Sequence, residues 1–361
     1  MIAVVSSNFI PVVNIESLRT ASHLNFCEQT VETSKQIFTA AVEKGFFYIS
    51  NHGVEESLLS SLDDISKEFF ARPVEEKRMI DMKSGGKAWR GFFAVGDEVT
   101  SGIPDQKEGI YFGTELSSGD DRPLHGINQW PQGASGERMK EVVLTYMGEM
   151  KTLGQLLMRA ISCSLNVTDQ SFTSQFENPT ELFRIFNYPP HNEVFGERAL
   201  GVGEHTDYGY LTLLKQDSSG GLQVKDTRAN VWVDADPIPG TFVVNLGDAL
   251  EHATWGLLKA TPHRVKQRIN AQTDRLSMPY FFDPCFDCEM QHIIPESFAR
   301  MVVEVDSDGS PSSEMPDGGL YTRWDGADPT MFTGTYGSYL LRKVSRAFPA
   351  LFAQHITQQP Q

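Results

Sequence analysis

The chain has 361 residues, 40% of them hydrophobic, with 31 basic and 47 acidic side chains and a formal net charge of -16. That length buries a large core, in one large domain or two modest ones. The charge argues against a nucleic-acid or anionic-membrane partner, because no run of Lys and Arg offers a local basic groove, and no stretch approaches the apolar length that crosses a bilayer.

In chain order, MIAVVSSNFIPVVNI is apolar but lacks a basic leader and is broken by Asn8 and Pro11, so it reads as an early strand rather than a signal peptide. Residues 28–44 predict a helix, with Val31, Ile37, Phe38, Ala41 and Val42 near one face and Gly45 as its stop. GFFYIS (45–50) reads as a buried strand and NHG (51–53) as a turn. Leu58, Leu59, Leu62, Ile65, Phe69 and Phe70 mark a second helix, closed by Pro73. Residues 85–113, rich in Gly and aromatics, predict loops and short strands.

The longest predicted helix runs from about Glu137 to Leu165, where Met139, Val143, Tyr146, Met147, Met150, Leu153, Leu157 and Ile161 keep a three/four spacing. This Met-rich stripe reads as core packing rather than a ligand surface, because it follows the helical period. From about residue 182 the texture changes to short β-rich runs separated by turn signals, among them ELFRIFNY, YLTLLKQ, GLQVKD, TFVVNLG, HRVKQR and DRLSMPYFFD. Many short strands at close spacing predict a sandwich or barrel. Residues 304–319 read as a polar loop; Asp306 and Asp308 there do not complete a calcium motif. Ser338 to Phe352 predicts a closing helix. There is no internal repeat.

His205-Thr206-Asp207 falls in a predicted strand, where residues i and i+2 face one side and can grip one ion. A third ligand has to come from another strand. Of the nine histidines, His263 in HRVKQR is the best placed, with His252 as its competitor. His23, His52, His125, His191, His292 and His355 fall in loops or near termini and read as solvated or hydrogen-bonding side chains. Two His and one carboxylate leave open positions on an octahedral metal, which suits an Fe(II) oxygenase better than structural zinc. HxD alone is a weak signal.

Arg275 and Ser277 form a second i, i+2 pair on the strand after His263. An Arg inside an apolar barrel is costly unless it meets an anion. A guanidinium fork holds a carboxylate bidentately and a Ser hydroxyl adds a bond, so the pair predicts an anchor for a dicarboxylate. The alternative is a structural pair of Arg275 with Asp234, Asp236 or Glu204. The four cysteines are sparse and irregular, which suits a reducing compartment and predicts a cytoplasmic protein. Cys285-x-x-Cys288 reads as two ordinary thiols near the barrel rim rather than a zinc or redox site.

GFFYISNHGV, KEGIYFG, RIFNYPP, HTDYGYLTLL, GGLQV, NLGD, HRV and RLSMPYFF, in this order over roughly residues 8–350, resemble the isopenicillin N synthase-like group of non-haem Fe(II)/2-oxoglutarate dioxygenases. The resemblance implies a mainly β fold with helices: a double-stranded β-helix (jelly-roll) core with an N-terminal helical region and a long supporting helix. The expected layout is an N-terminal region (1–135), a supporting helix and linker (136–181), the core (182–303), the polar loop (304–319) and a C-terminal extension (320–361), all one catalytic unit. It implies iron on His205, Asp207 and His263, the 2-oxoglutarate carboxylate on Arg275 and Ser277, and a supporting hydrogen bond from Tyr188. It implies oxidation of a small organic substrate by O2, with 2-oxoglutarate cleaved to succinate and CO2. A same-fold oxidase that uses no 2-oxoglutarate also carries RLS, and a silent binding relative is a further alternative.

The chain departs from the RxNxYP pattern, with Phe186 where Asn is usual. Asn187 is shifted by one and should face the other way; Asn245 is a substitute or a buried structural residue. The region from Lys87 to Phe112 walls the substrate side in the resembled family. Arg90 and Lys107 there predict a carboxylate-bearing substrate, with Phe93, Ile110, Phe281 and Phe282 as walls. The alternative is structural pairing, of Lys107 with Glu108 or Asp105 and of Arg90 with Asp97 or Glu98. No obligate protein partner is predicted.

Overall fold

Alternating side chains organise the second half of the chain. The computed structural model describes residues 9–100, 103–116, 120, 122–167, 170–190, 200–266, 271–303, 332–349 and 352–353. The predicted polar loop 304–319, with Asp306 and Asp308, lies outside them. Among the described residues an eight-stranded sheet runs in the order Val12–Asn14, Phe46–Ser50, Thr241–Leu246, Leu211–Gln216, Arg275–Asp283, Thr180–Tyr188, Glu108–Gly113, Gly91–Phe93. A four-stranded sheet runs Val231–Asp234, Leu222–Asp226, His263–Lys266, Leu200–His205. Pairing is antiparallel in both, except between Val12–Asn14 and Phe46–Ser50. Side chains from both sheets line one cavity of about 400 Å³, the interior of a jelly roll.

The back of the large sheet is closed by the helix Ala134–Ser164. Its expected stripe, from Met139 through Met150 to Ile161, is buried. The Met-rich face is core. Gly154 lets the helix approach the sheet: a Cβ there would come within 2.3 Å of the Phe282 ring. Phe282 therefore points at the helix and not into the cavity, while Phe281, one residue earlier, lines the cavity. The period of two decides between them.

The first predicted helix is interrupted. A short helix, Phe26–Gln29, precedes Val31–Glu43. Gly45, at φ +63°, then turns the chain into strand Phe46–Ser50. A side chain at Gly45 would strike the Lys259 carbonyl at 2.2 Å, so the turn needs glycine on both counts. The closing helix is Tyr336–Ala347.

All four cysteines are paired, which corrects the expectation of ordinary thiols. Cys27 joins Cys163 across 136 residues of sequence, and Cys285 joins Cys288. Sparse, irregular spacing therefore carries no argument here for a reducing compartment. No described helix is long and apolar enough to cross a membrane.

Candidate metal and cosubstrate site

Cross-strand register creates the candidate metal site. His263, at the start of its strand, is the direct partner of His205, at the end of its own. Their rings stand 4.3 Å apart. Asp207 lies just past the strand end rather than within the strand, as the HxD spacing suggests. It still turns its carboxylate to both rings: Oδ1 is 3.9 Å from His205 Nε2 and 3.7 Å from His263 Nε2. One ligand atom from each residue falls within a 4.8 Å cluster.

Each member is held for ligation. His205 Nδ1 sits 2.8 Å from the Gly203 carbonyl and His263 Nδ1 3.2 Å from that of Thr261. Protons on Nδ1 leave both Nε2 lone pairs facing the centre. Burial, and His205 alongside, lower the His263 pKa to about 4, so the ring is a neutral ligand. Asp207 Oδ2 accepts from Thr212 Oγ1 at 2.5 Å and Asn245 Nδ2 at 2.7 Å, which leaves Oδ1 for the ion. Burial opposes the Asp207 charge, but His263, His205 and these two hydrogen bonds outweigh it and hold the carboxyl below its ordinary range. Asn245 thus orients the Asp207 carboxylate within the candidate site. Asn187 does face the other way, donating to Glu108 and Asp274.

His252, the competing distal ligand, lies on helix Asp248–Ala253 outside the cavity, against His292 at 4.5 Å.

A second polar group lies in the same cavity. Tyr188, Arg275 and Ser277 all line it. Arg275 pairs with Tyr188 in register, and its Cζ lies 4.8 Å from that ring. Arg275 is 1% exposed, and its Nε donates to the Gly220 carbonyl at 2.6 Å. Nη1 and Nη2 have no protein acceptor. The alternative pairing with Asp234 is not made; that carboxylate meets Lys266 and Gln223. Two buried, uncommitted donors on one fork fit a carboxylate.

The predicted substrate wall is redistributed. Phe281 and Lys107 line the cavity; Arg90, Phe93, Ile110 and Phe282 do not. Ile110 registers with Ile185, which lies between the lining residues Arg184 and Phe186 and so faces the other side of the sheet. Phe93 packs edge-on against Phe186 and Tyr111, one layer behind the wall. Arg90 precedes the outermost strand and donates to the carbonyls of Phe112 and Leu124, not to Asp97 or Glu98. Lys107 is spent on Glu98, at 2.7 Å, and on Asp105. A lining cation that sequence reasoning overlooked is Arg184. Its signal was there: it has the same strand parity as Tyr188.

Residues 10–133 match the family described as non-haem dioxygenase in morphine synthesis N-terminal, and residues 179–284 match the 2OG-Fe(II) oxygenase superfamily. A protein of Dictyostelium discoideum named as a probable iron/ascorbate oxidoreductase is 39% identical, with 95% of each chain covered. The 1-aminocyclopropane-1-carboxylate oxidase of the same organism is 33% identical over 94% of this chain and 95% of its own length. Among solved structures, a full-length Neurospora crassa protein in complex with alpha-KG and thymine superposes with a TM-score of 0.71 at 27% identity, covering 93% of this chain and 96% of that one. With this fold, this triad and these relatives, the chain belongs to the 2OG-Fe(II) oxygenase superfamily, non-haem iron oxidoreductases that work with Fe(II), 2-oxoglutarate and O2.

Proposed function

We propose that the chain oxidises a small organic substrate, by hydroxylation, desaturation or ring closure, with release of succinate and CO2. His205, Asp207 and His263 are assigned to the iron, and Arg275, Ser277 and Tyr188 to the 2-oxoglutarate carboxylate remote from it. The observation that carries this reading is the buried Arg275 fork, whose two terminal nitrogens have no protein partner inside the cavity that holds the triad.

When bound, Fe(II) supplies O2 activation and couples it to the decarboxylation of 2-oxoglutarate. The chain supplies position and dryness. The imidazoles of His205 and His263 and the Asp207 carboxylate would hold the ion. Asn245 and Thr212 fix the carboxylate, so that it presents one oxygen. Arg275 and Ser277 hold the cosubstrate by its far end and thereby aim its near end. Phe186, Leu214, Val265 and Phe281 present apolar walls that exclude water.

The test is turnover with Fe(II) and 2-oxoglutarate, read as succinate. His205→Ala, Asp207→Ala and His263→Ala should each abolish succinate release and metal uptake while the fold persists. A second reading is a same-fold oxidase that works without 2-oxoglutarate, since Arg275-Leu276-Ser277 does not separate the two. Iron-dependent O2 uptake without succinate would select that reading.

A further inference from the structure

Arg184 is a cation the cosubstrate does not use. It lies on the cavity face of strand Thr180–Tyr188, four residues before Tyr188. At about 3.3 Å per residue, that places it roughly 13 Å along the strand from the Arg275–Tyr188 pair. Its guanidinium carbon lies 3.9 Å from the centroid of the Tyr111 ring and 4.9 Å from that of Phe281. Ring faces attract the cation but accept no strong hydrogen bond.

Its donors are uncommitted. Nε is buried without a partner. The Glu98 carboxylate stands off at 3.9 Å from Nη1, beyond hydrogen-bonding distance. Glu98 is already served: Tyr111 donates to it at 2.6 Å, and Lys107 pairs with it at 2.7 Å.

The other lining cations are placed differently. Lys107 lies between two carboxylates, and Lys343 is 3.0 Å from Asp248. Arg346 is exposed on the closing helix. Among the described lining cations, Arg184 is the one set inside the cavity, away from the cosubstrate anchor, with a donor edge to offer. A planar fork with free N–H groups, flanked by Tyr111 and Phe281, suits a planar anion on an apolar body.

We propose that the prime substrate is a small carboxylic acid whose carboxylate docks on Arg184, leaving its apolar body to reach toward His205, Asp207 and His263. This rests on the 2-oxoglutarate reading above. The anion-binding role thereby moves from Arg90 and Lys107 to Arg184.

The test uses the full chain with Fe(II) and 2-oxoglutarate. Succinate release is measured against a panel of small aliphatic and aromatic carboxylic acids, each paired with its primary amide, a near-isostere without charge. Wild type should favour acid over amide by at least about tenfold in kcat/KM, the discrimination a charged fork gives against a neutral group. Arg184→Gln should raise KM for the acid at least about tenfold and bring the acid/amide ratio close to one. Arg184→Lys, which keeps charge but loses the fork, should fall between.

If no acid stimulates succinate release above the enzyme alone, or if amides serve as well as acids, the inference is overturned while the cosubstrate reading stands. A preference for acids that survives in Arg184→Gln also overturns it. No succinate under any condition, with 2-oxoglutarate failing to bind, sinks the cosubstrate reading and this inference together. The wild-type comparison decides the substrate class even if the Gln variant does not fold.

Discussion

Arg275→Met separates binding from folding at one residue. In the apo protein the change removes the Nε bond to the Gly220 carbonyl, leaving an acceptor that costs about 1–3 kcal/mol. It also removes two buried guanidinium nitrogens that have no protein partner, which offsets that loss. The stability of the apo variant should therefore lie within roughly 1–2 kcal/mol of wild type. Binding has no such offset. Losing a buried charged partner costs about 2–5 kcal/mol, so the 2-oxoglutarate Kd should rise by at least roughly thirtyfold. The assay is thermal unfolding with Fe(II) under anaerobic conditions, titrated with 2-oxoglutarate. At a ligand concentration 100 times the wild-type Kd, wild type gains about 2.7 kcal/mol. A variant weakened a hundredfold gains only about 0.4 kcal/mol at that concentration. Equal stabilisation of the two proteins by 2-oxoglutarate would refute the assignment of Arg275 to the cosubstrate.

Three further outcomes follow from named contacts. Asn245→Leu removes a bond to Asp207 Oδ2 and should weaken metal binding about 10–100-fold, read by metal titration; an unchanged affinity would show that Thr212 alone orients the carboxylate. Burial raises the Asp283 pKa from 3.8 to about 7, so the folded protein keeps a proton that the unfolded chain has released. That contribution is fully present below pH 3.8 and is lost as pH rises through 7, so the Tm of metal-free Asp283→Asn relative to wild type should climb between pH 5 and pH 8. A flat difference across that window would place the proton elsewhere. Gly154→Ala drives a methyl group into the Phe282 ring and should cost about 1–3 kcal/mol in denaturant unfolding; a neutral result would mean that helix and strand separate freely.

Local periodicity made much of this protein legible. A period of two placed Arg275 and Ser277 on one face, turned Asn187 away from Phe186, and would equally have put Arg184 on the same face as Tyr188, had the parity been followed four residues back. The three/four stripe of the helix Ala134–Ser164 was readable for the same reason: a helix or strand repeats on a scale shorter than a sequence window. Tertiary structure decided what no local repeat encodes. The register of His263 on His205 joins strands 58 positions apart, and nothing within either strand specifies the other. The Cys27–Cys163 bridge depends on where two helices meet. Phe281 and Phe282 are equivalent as neighbouring aromatics; their strand's placement on the long helix sends one to the cavity and the other to the core. Arg90 and Lys107 looked like substrate cations until packing gave them carbonyl and carboxylate partners, because the burial and pairing of a charge belong to the assembled fold and not to its sequence neighbours.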